Sequence, residues 1–188
     1  MNSRAIATGI ILVGLLTAAG CTSESCQSEK TERELMGSLY KMPLDFGDRL
    51  KLINDASLSR ADSFSLTKAN TKYYILHYFL SDCDKCIEEL IKAKAIISRN
   101  PLPDTKYVFL ANGPTDIYIK QALARESFPY PVYFEPGIFT FKIRNKLKLD
   151  DVLYNTMLVN NMGKVLLFGS YYDNKKAQDL FEQIVNCK

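Results

Sequence analysis

The 188-residue chain has no tryptophan and one histidine, His77. It also lacks a charge excess: 24 Lys and Arg stand against 21 Asp and Glu, a net +3 with both signs dispersed. Near-balance of this kind offers no electrostatic footprint for nucleic acid. Past the first twenty residues no run is long and apolar enough to span a bilayer. No internal repeat is visible. Eleven Tyr and ten Phe replace the missing tryptophan as core material.

What is present begins with a targeting segment. Met1-Asn2-Ser3-Arg4 precedes the apolar stretch AIATGIILVGLLTAA, too short for a stable membrane span. It closes on Ala18-Ala19-Gly20-Cys21, small residues directly before a cysteine. This resembles a bacterial lipobox, with alanine where leucine is commonest, and implies cleavage at 20 and lipid on Cys21. An ordinary secretory signal with an incidental cysteine is the plainer reading. Residues 21–34 are polar and aperiodic and read as a tether, leaving one domain over 35–188.

Five cysteines in an exported chain sit in a disulfide-permissive compartment. Cys83-Asp84-Lys85-Cys86 joins the end of an apolar strand pattern, TKYYILHYFL (71–80), to a helical one, IEELIKAKAI. The first thiol of such a pair meets orphan backbone N–H groups and the positive end of a helix dipole, both of which favour the reactive thiolate. The pair reads first as a redox dithiol and second as half of a metal site. Cys26 and Cys187 lie near the two ends and are either a staple across the domain or two unpaired thiols.

Elements follow from periodicity. RLKLIN (49–54) and DSFSL (62–66) read as short N-terminal strands. The helix after the cysteines places Ile87, Leu90, Ile91 and Ala95 on one face and stops at Asn100-Pro101. KYVFLAN (106–112) is a second buried strand, and 115–127 a second helix with Thr115 as its cap. VYFE (132–135) is a third strand, and 136–150 holds a short helix. TMLVN and KVLLFG flank the turn Asn161-Met162-Gly163, and Ala177, Leu180, Phe181 and Ile184 mark a closing helix. The order predicts an α/β fold: a central mixed sheet with helices on both faces and N-terminal extension strands.

This order, with Cys-x-x-Cys heading the first core helix, resembles the thioredoxin fold over about residues 65–187. YYILHYFLSDCDKCIEEL, FPYPVYFE and TMLVNNMGKVLLFG together are similar to membrane-tethered TlpA-type thioredoxins and their Bacteroidetes lipoprotein relatives. The resemblance implies a lipid-anchored thiol–disulfide oxidoreductase of the bacterial cell envelope, facing away from the cytoplasm and acting on protein disulfides or thiols, with no cofactor and no resident metal. Cys83 matches the attacking thiol and Cys86 the resolving thiol. Lys85 favours thiolate at Cys83 while Asp82 and Asp84 oppose it, which leaves reductant and oxidant undecided. His77 falls where the family carries a buried acid that moves the resolving thiol's proton. A near-neutral imidazole would suit that task, and a merely packed strand histidine is the alternative. Asn155-Thr156 aligns with the substrate-binding loop, Asn155 standing in place of its cis-proline.

Two other functions fit the same residues. One is a binding module whose disulfide is structural. The other is copper handling by Cys83, Cys86 and His77, against which two thiolates make a thin ligand set. A peroxidase reading lacks its Thr-x-x-Cys pattern. Non-reducing peptide mapping separates the two readings of the outer cysteines: a joined Cys26–Cys187 peptide establishes the staple, and two free peptides dispose of it.

Overall fold

A computed structural model describes residues 36–54 and 71–186. The leader, the tether with Cys21 and Cys26, the DSFSL segment and Cys187 lie outside them.

Ten regular elements follow one another: β1 (Lys51–Leu52), β2 (Tyr73–Leu80), α1 (Asp84–Arg99), β3 (Thr105–Gly113), α2 (Ile117–Arg125), β4 (Val132–Pro136), α3 (Thr140–Arg144), β5 (Thr156–Asn160), β6 (Val165–Phe168) and α4 (Lys175–Asn186). They build one mixed sheet in the order β1-β4-β3-β2-β5-β6. β2, β3 and β4 are parallel neighbours, as helical crossovers require, and β5 and β6 run antiparallel to their neighbours. The β5–β6 turn is the expected one. Asn160 Oδ1 accepts from Met162 N and Lys164 N, and Gly163 takes φ 74°, a conformation glycine adopts without steric cost.

β2 is the hub. Its residues alternate between two covered faces, which explains why its sequence is a continuous apolar run. On one face His77 meets Tyr172 and Phe109, with α1 and α4 above. On the other, Tyr78 stacks on Phe141 of α3, and the Lys142 ammonium sits 5.3 Å from its ring centroid.

Two sequence readings shift. The buried stripe of α1 is Ile87, Leu90, Ala93 and Ile97, while Ile91 is 40% exposed and Ala95 is exposed. At 100° per residue, Ile91 and Ala95 sit about 100° and 140° round the helix from Leu90, so an i+4, i+8 reading drifts off the sheet. Thr115 does not cap α2. Asp116 is the N-cap, with no side-chain capping bond, and the Thr115 carbonyl instead accepts from Ser81 Oγ at 3.0 Å. A short helix does form within 136–150, and of 49–54 only Lys51–Leu52 is strand.

Residues 41–53 form a strap that runs beside β6 at one edge of the sheet and, as β1, adds to β4 at the other. Lys41 N donates to Val165 O, Val165 N to Met42 O, and Leu44 N to Gly163 O, which covers β6. Eight residues on, β1 pairs with β4, and Ile53 N donates to Val132 O. Strand edges left open invite pairing with another chain; here one segment covers β6 and leaves only the two-residue β1 outside β4.

Between these two anchor points the strap crosses α3. Asp45 and Asn145 exchange bonds of 2.7 and 2.9 Å, and Arg144 donates to the carbonyls of Asp45 and Phe46. Arg144 also holds Glu135 in a two-point ion pair at 2.8 and 2.9 Å. The Glu135 side chain is fully buried. Removing Arg144 leaves the buried carboxylate with only the Thr140 hydroxyl at 3.1 Å and Arg49 Nε at 4.0 Å, poor compensation in low dielectric. Arg144→Ala is therefore expected to lower the free energy of unfolding by about 3 kcal/mol in urea denaturation; a loss below about 1 kcal/mol would show that the carboxylate finds other solvation.

Candidate functional site

The site forms where β2 ends. Ser81 is fully buried, its N–H donating to Asn112 O at 2.8 Å, so β2 and β3 stay locked past their last paired residues. Gly113 makes room for it: a Cβ there would lie 1.9 Å from Ser81 Oγ. Asp82 then turns outward, and Cys83 becomes the N-cap of α1 with extended backbone angles. Its sulfur accepts from Cys86 N at 3.2 Å, and its carbonyl accepts the first helical bonds, from Cys86 N and Ile87 N.

Cys83 and Cys86 form a disulfide with Cα atoms 5.1 Å apart. Both are half-buried, and Cys86 packs against the core. The outer sulfur therefore sits on the positive end of α1, where a thiolate would be stabilised by the same N–H group that the capping sulfur now meets.

On the face of β2 that meets Glu89 of α1 lies His77, 4% exposed. Its Nδ1 is 2.8 Å from Thr156 Oγ1, the residue opposite it across β2–β5. Its Nε2 has no hydrogen-bond partner and faces Glu89 Oε2 at 3.9 Å, too far for a bond. Burial pushes the imidazole pKa down to about 4, with a smaller upward pull from Asp173. The desolvation cost outweighs the nearby carboxylates, so His77 is neutral at physiological pH. Of the two sequence readings of His77, burial on this face of β2 favours the packed strand histidine.

Glu89 was missed by sequence reading, although its place three residues after Cys86 puts it one helical turn from the inner sulfur. Burial and then the Asp173 charge raise its pKa; Lys85 and Lys92 lower it. Lys85 is exposed, and its charge is felt at Glu89. Asp173 also pairs with Lys92 at 3.7 Å. Tyr172 and Asp173 come from the β6–α4 connection, which carried no signal in the sequence.

Asn155 closes a 3-10 turn, Val152–Asn155, that Asp151 caps by accepting from Leu153 N. The described residues contain no cis peptide bond. Because Thr156 pairs with His77, the turn lies beside the part of β2 that leads to Cys83. His77 and Thr156 are thus brought together, and the turn carrying Asn155 shares their end of the sheet. Among the described residues, no group of three or more His, Cys, Asp and Glu side chains is arranged to hold a metal ion.

No protein-family model matches the chain, and no curated protein sequence does. Solved structures do. A Bacteroides vulgatus protein, described provisionally as a thiol-disulfide oxidoreductase, aligns with a TM-score of 0.56 at 15% identity, over 75% of this chain and 90% of that one. An uncharacterized thioredoxin-like protein from Porphyromonas gingivalis aligns at 0.52 and 16% identity, over 79% and 93%. A Chlorobium tepidum protein, provisionally thiol:disulfide interchange protein DsbE, aligns at 0.50 and 17%, over 77% and 98%. These likenesses establish that the chain has a thioredoxin-like fold.

The sealed imidazole has a measurable consequence. Unfolded, His77 takes a proton near the ordinary imidazole value of 6.5; folded, it resists until about 4. The unfolded state therefore binds more protons between those values, and stability falls as pH drops through that window, by about 3 kcal/mol in all. His77→Phe is expected to flatten this slope in denaturation curves taken from pH 7 to pH 4. Since Glu89, whose raised pKa acts in the opposite sense, is present in both proteins, an unchanged slope would refute the assignment.

Proposed function

We propose that this chain is a thiol–disulfide oxidoreductase of the bacterial cell envelope, anchored by lipid on Cys21 after removal of residues 1–20 and acting on protein disulfides or thiols. The observation that carries the reading is the half-exposed Cys83–Cys86 disulfide at the N-terminus of α1 in a thioredoxin-like fold. The provisional descriptions of the Bacteroides and Chlorobium proteins support the same chemistry.

In the reducing direction, Cys83 thiolate attacks one sulfur of a substrate disulfide and expels the other as thiolate, which takes a proton. Cys86 then loses its proton and attacks Cys83 Sγ, and the second substrate sulfur leaves and is protonated. The substrate gains two electrons and two protons, and the pair is left as the disulfide seen here. The oxidising direction is the reverse. Of the groups near Cys86, Glu89 fits the proton transfer better than His77. It stands one helical turn after Cys86 with its pKa raised by burial, whereas burial pushes the His77 imidazole down to about 4. His77 instead holds Thr156, and with it the turn through Asn155 on which a substrate backbone would lie.

The exposed side chains of Val152 and Leu153 on that turn, with Ile117 at the head of α2, suit a protein substrate. A binding module with an inert disulfide would keep these surfaces and lose the chemistry. Cys86→Ser separates the two. With the resolving thiol gone, Cys83 is expected to accumulate mixed disulfides with envelope proteins, visible on non-reducing gels and identified by mass spectrometry, while Cys83→Ser abolishes both trapping and turnover. No trapped partner, together with a wild-type pair that glutathione buffers cannot reduce, would leave the binding module as the better account.

A further inference from the structure

The residue between the cysteines that the sequence marks as unfavourable is Asp84, a carboxylate directly after the attacking thiol. In the structure it has a partner. The Tyr118 hydroxyl, on the first turn of α2, donates to Asp84 Oδ1. Arg125, two helical turns further along α2, is close enough for its charge to act on both residues. A second helix thus reaches across to address the intervening residue of the dithiol.

We propose that Tyr118 is a positioning residue for the redox pair: by hydrogen-bonding Asp84 it draws that carboxylate toward α2 and dampens its repulsion of the Cys83 thiolate. The inference rests on thiol–disulfide exchange at Cys83. The other charges around that sulfur do not substitute for this contact. Along the chain Asp82, Lys85 and Glu88 are exposed beside it. His77 underneath is neutral, and Asp173 acts on Glu89 and His77. Asp150 and Asp151 before β5 act on Lys142, across the sheet. Asp84 is the carboxylate on the residue next to Cys83 that a neighbouring helix restrains, and Tyr118 supplies the restraint.

The direction follows from linkage. Whatever stabilises the thiolate stabilises the reduced protein and makes the disulfide easier to reduce. Loss of the Tyr118 hydroxyl frees Asp84, disfavours the thiolate and moves the potential to more negative values. The opposite holds for loss of the Asp84 charge. Tyr118 also shows the counterpart of the contact, since its own pKa is raised, first by the bond to Asp84.

The experiment uses the reduced full-length protein and follows iodoacetamide alkylation of Cys83 across pH, with the equilibrium against glutathione as a second readout. Tyr118→Phe is expected to shift the alkylation midpoint upward and slow the reaction at pH 7 about two- to threefold, a size set by partly screened charges. Asp84→Asn is expected to speed it. In the Asp84→Asn background, Tyr118→Phe should then change nothing. An unchanged midpoint in Tyr118→Phe overturns the proposal, and so does an equal shift in both backgrounds, which would mean that the ring acts by packing. If the wild-type protein shows no fast-alkylating thiol at all, the exchange reading falls and this one with it. A normal wild type beside an unresponsive Tyr118→Phe removes only the role of Tyr118.

Discussion

The hydrogen-bonding of β2 is the constraint on which the site depends. The strand is paired along both edges, with β3 and β5, and covered on both faces, so its only free points are its ends. Its exit is held further by Ser81, bonded to Asn112 and Thr115. The chain therefore leaves the sheet at a fixed place, and the helix that follows starts with Cys83 as its N-cap. A reactive thiol needs a rigid approach and a positive helix end. Here both come from the same few backbone bonds, and chemistry at the cysteines inherits the rigidity of the sheet.

Much of this was legible beforehand because it is written in local pattern. Continuous apolar runs marked β2 and β3, Asn161-Met162-Gly163 marked the β5–β6 turn, and the spacing of Phe181 and Ile184 marked α4. The Cys-x-x-Cys motif located the disulfide because its chemistry depends on sequence neighbours. What went astray depended on orientation. The face of α1 was assigned from residues near the cysteines, yet the docking angle on the sheet selects Ala93 and Ile97 over Ile91 and Ala95. Thr115 looks like a cap from its type, and only the structure shows its carbonyl engaged with Ser81 and Asp116 in the cap position.

The electrostatic character of the site was the least legible part. Residue types left His77 between a proton-moving role and a packed one, and burial favours the packed one. Glu89 is one of two adjacent glutamates in an ordinary helix, and nothing in its type distinguishes it from exposed Glu88. What sets it apart is burial, and after it a neighbouring Asp173 contributed by a connection more than eighty residues later. Long-range contacts of this kind decide which of several similar carboxylates acquires an unusual proton affinity. Asp84 likewise has a partner that its type does not announce, Tyr118 on a separate helix.

The strap has a consequence for the order in which the molecule can assemble. Its residues precede every other described strand, yet their partners are β4, α3 and finally β6, near the end of the chain. A segment that must wait for strands a hundred residues away contributes to contact order and not to nucleation. The β2-α1-β3 unit, closed by its own crossover, can form while the strap is still unattached, and both sheet edges then stand open. Until the strap is seated, the edges of β4 and β6 are open to pairing with another chain.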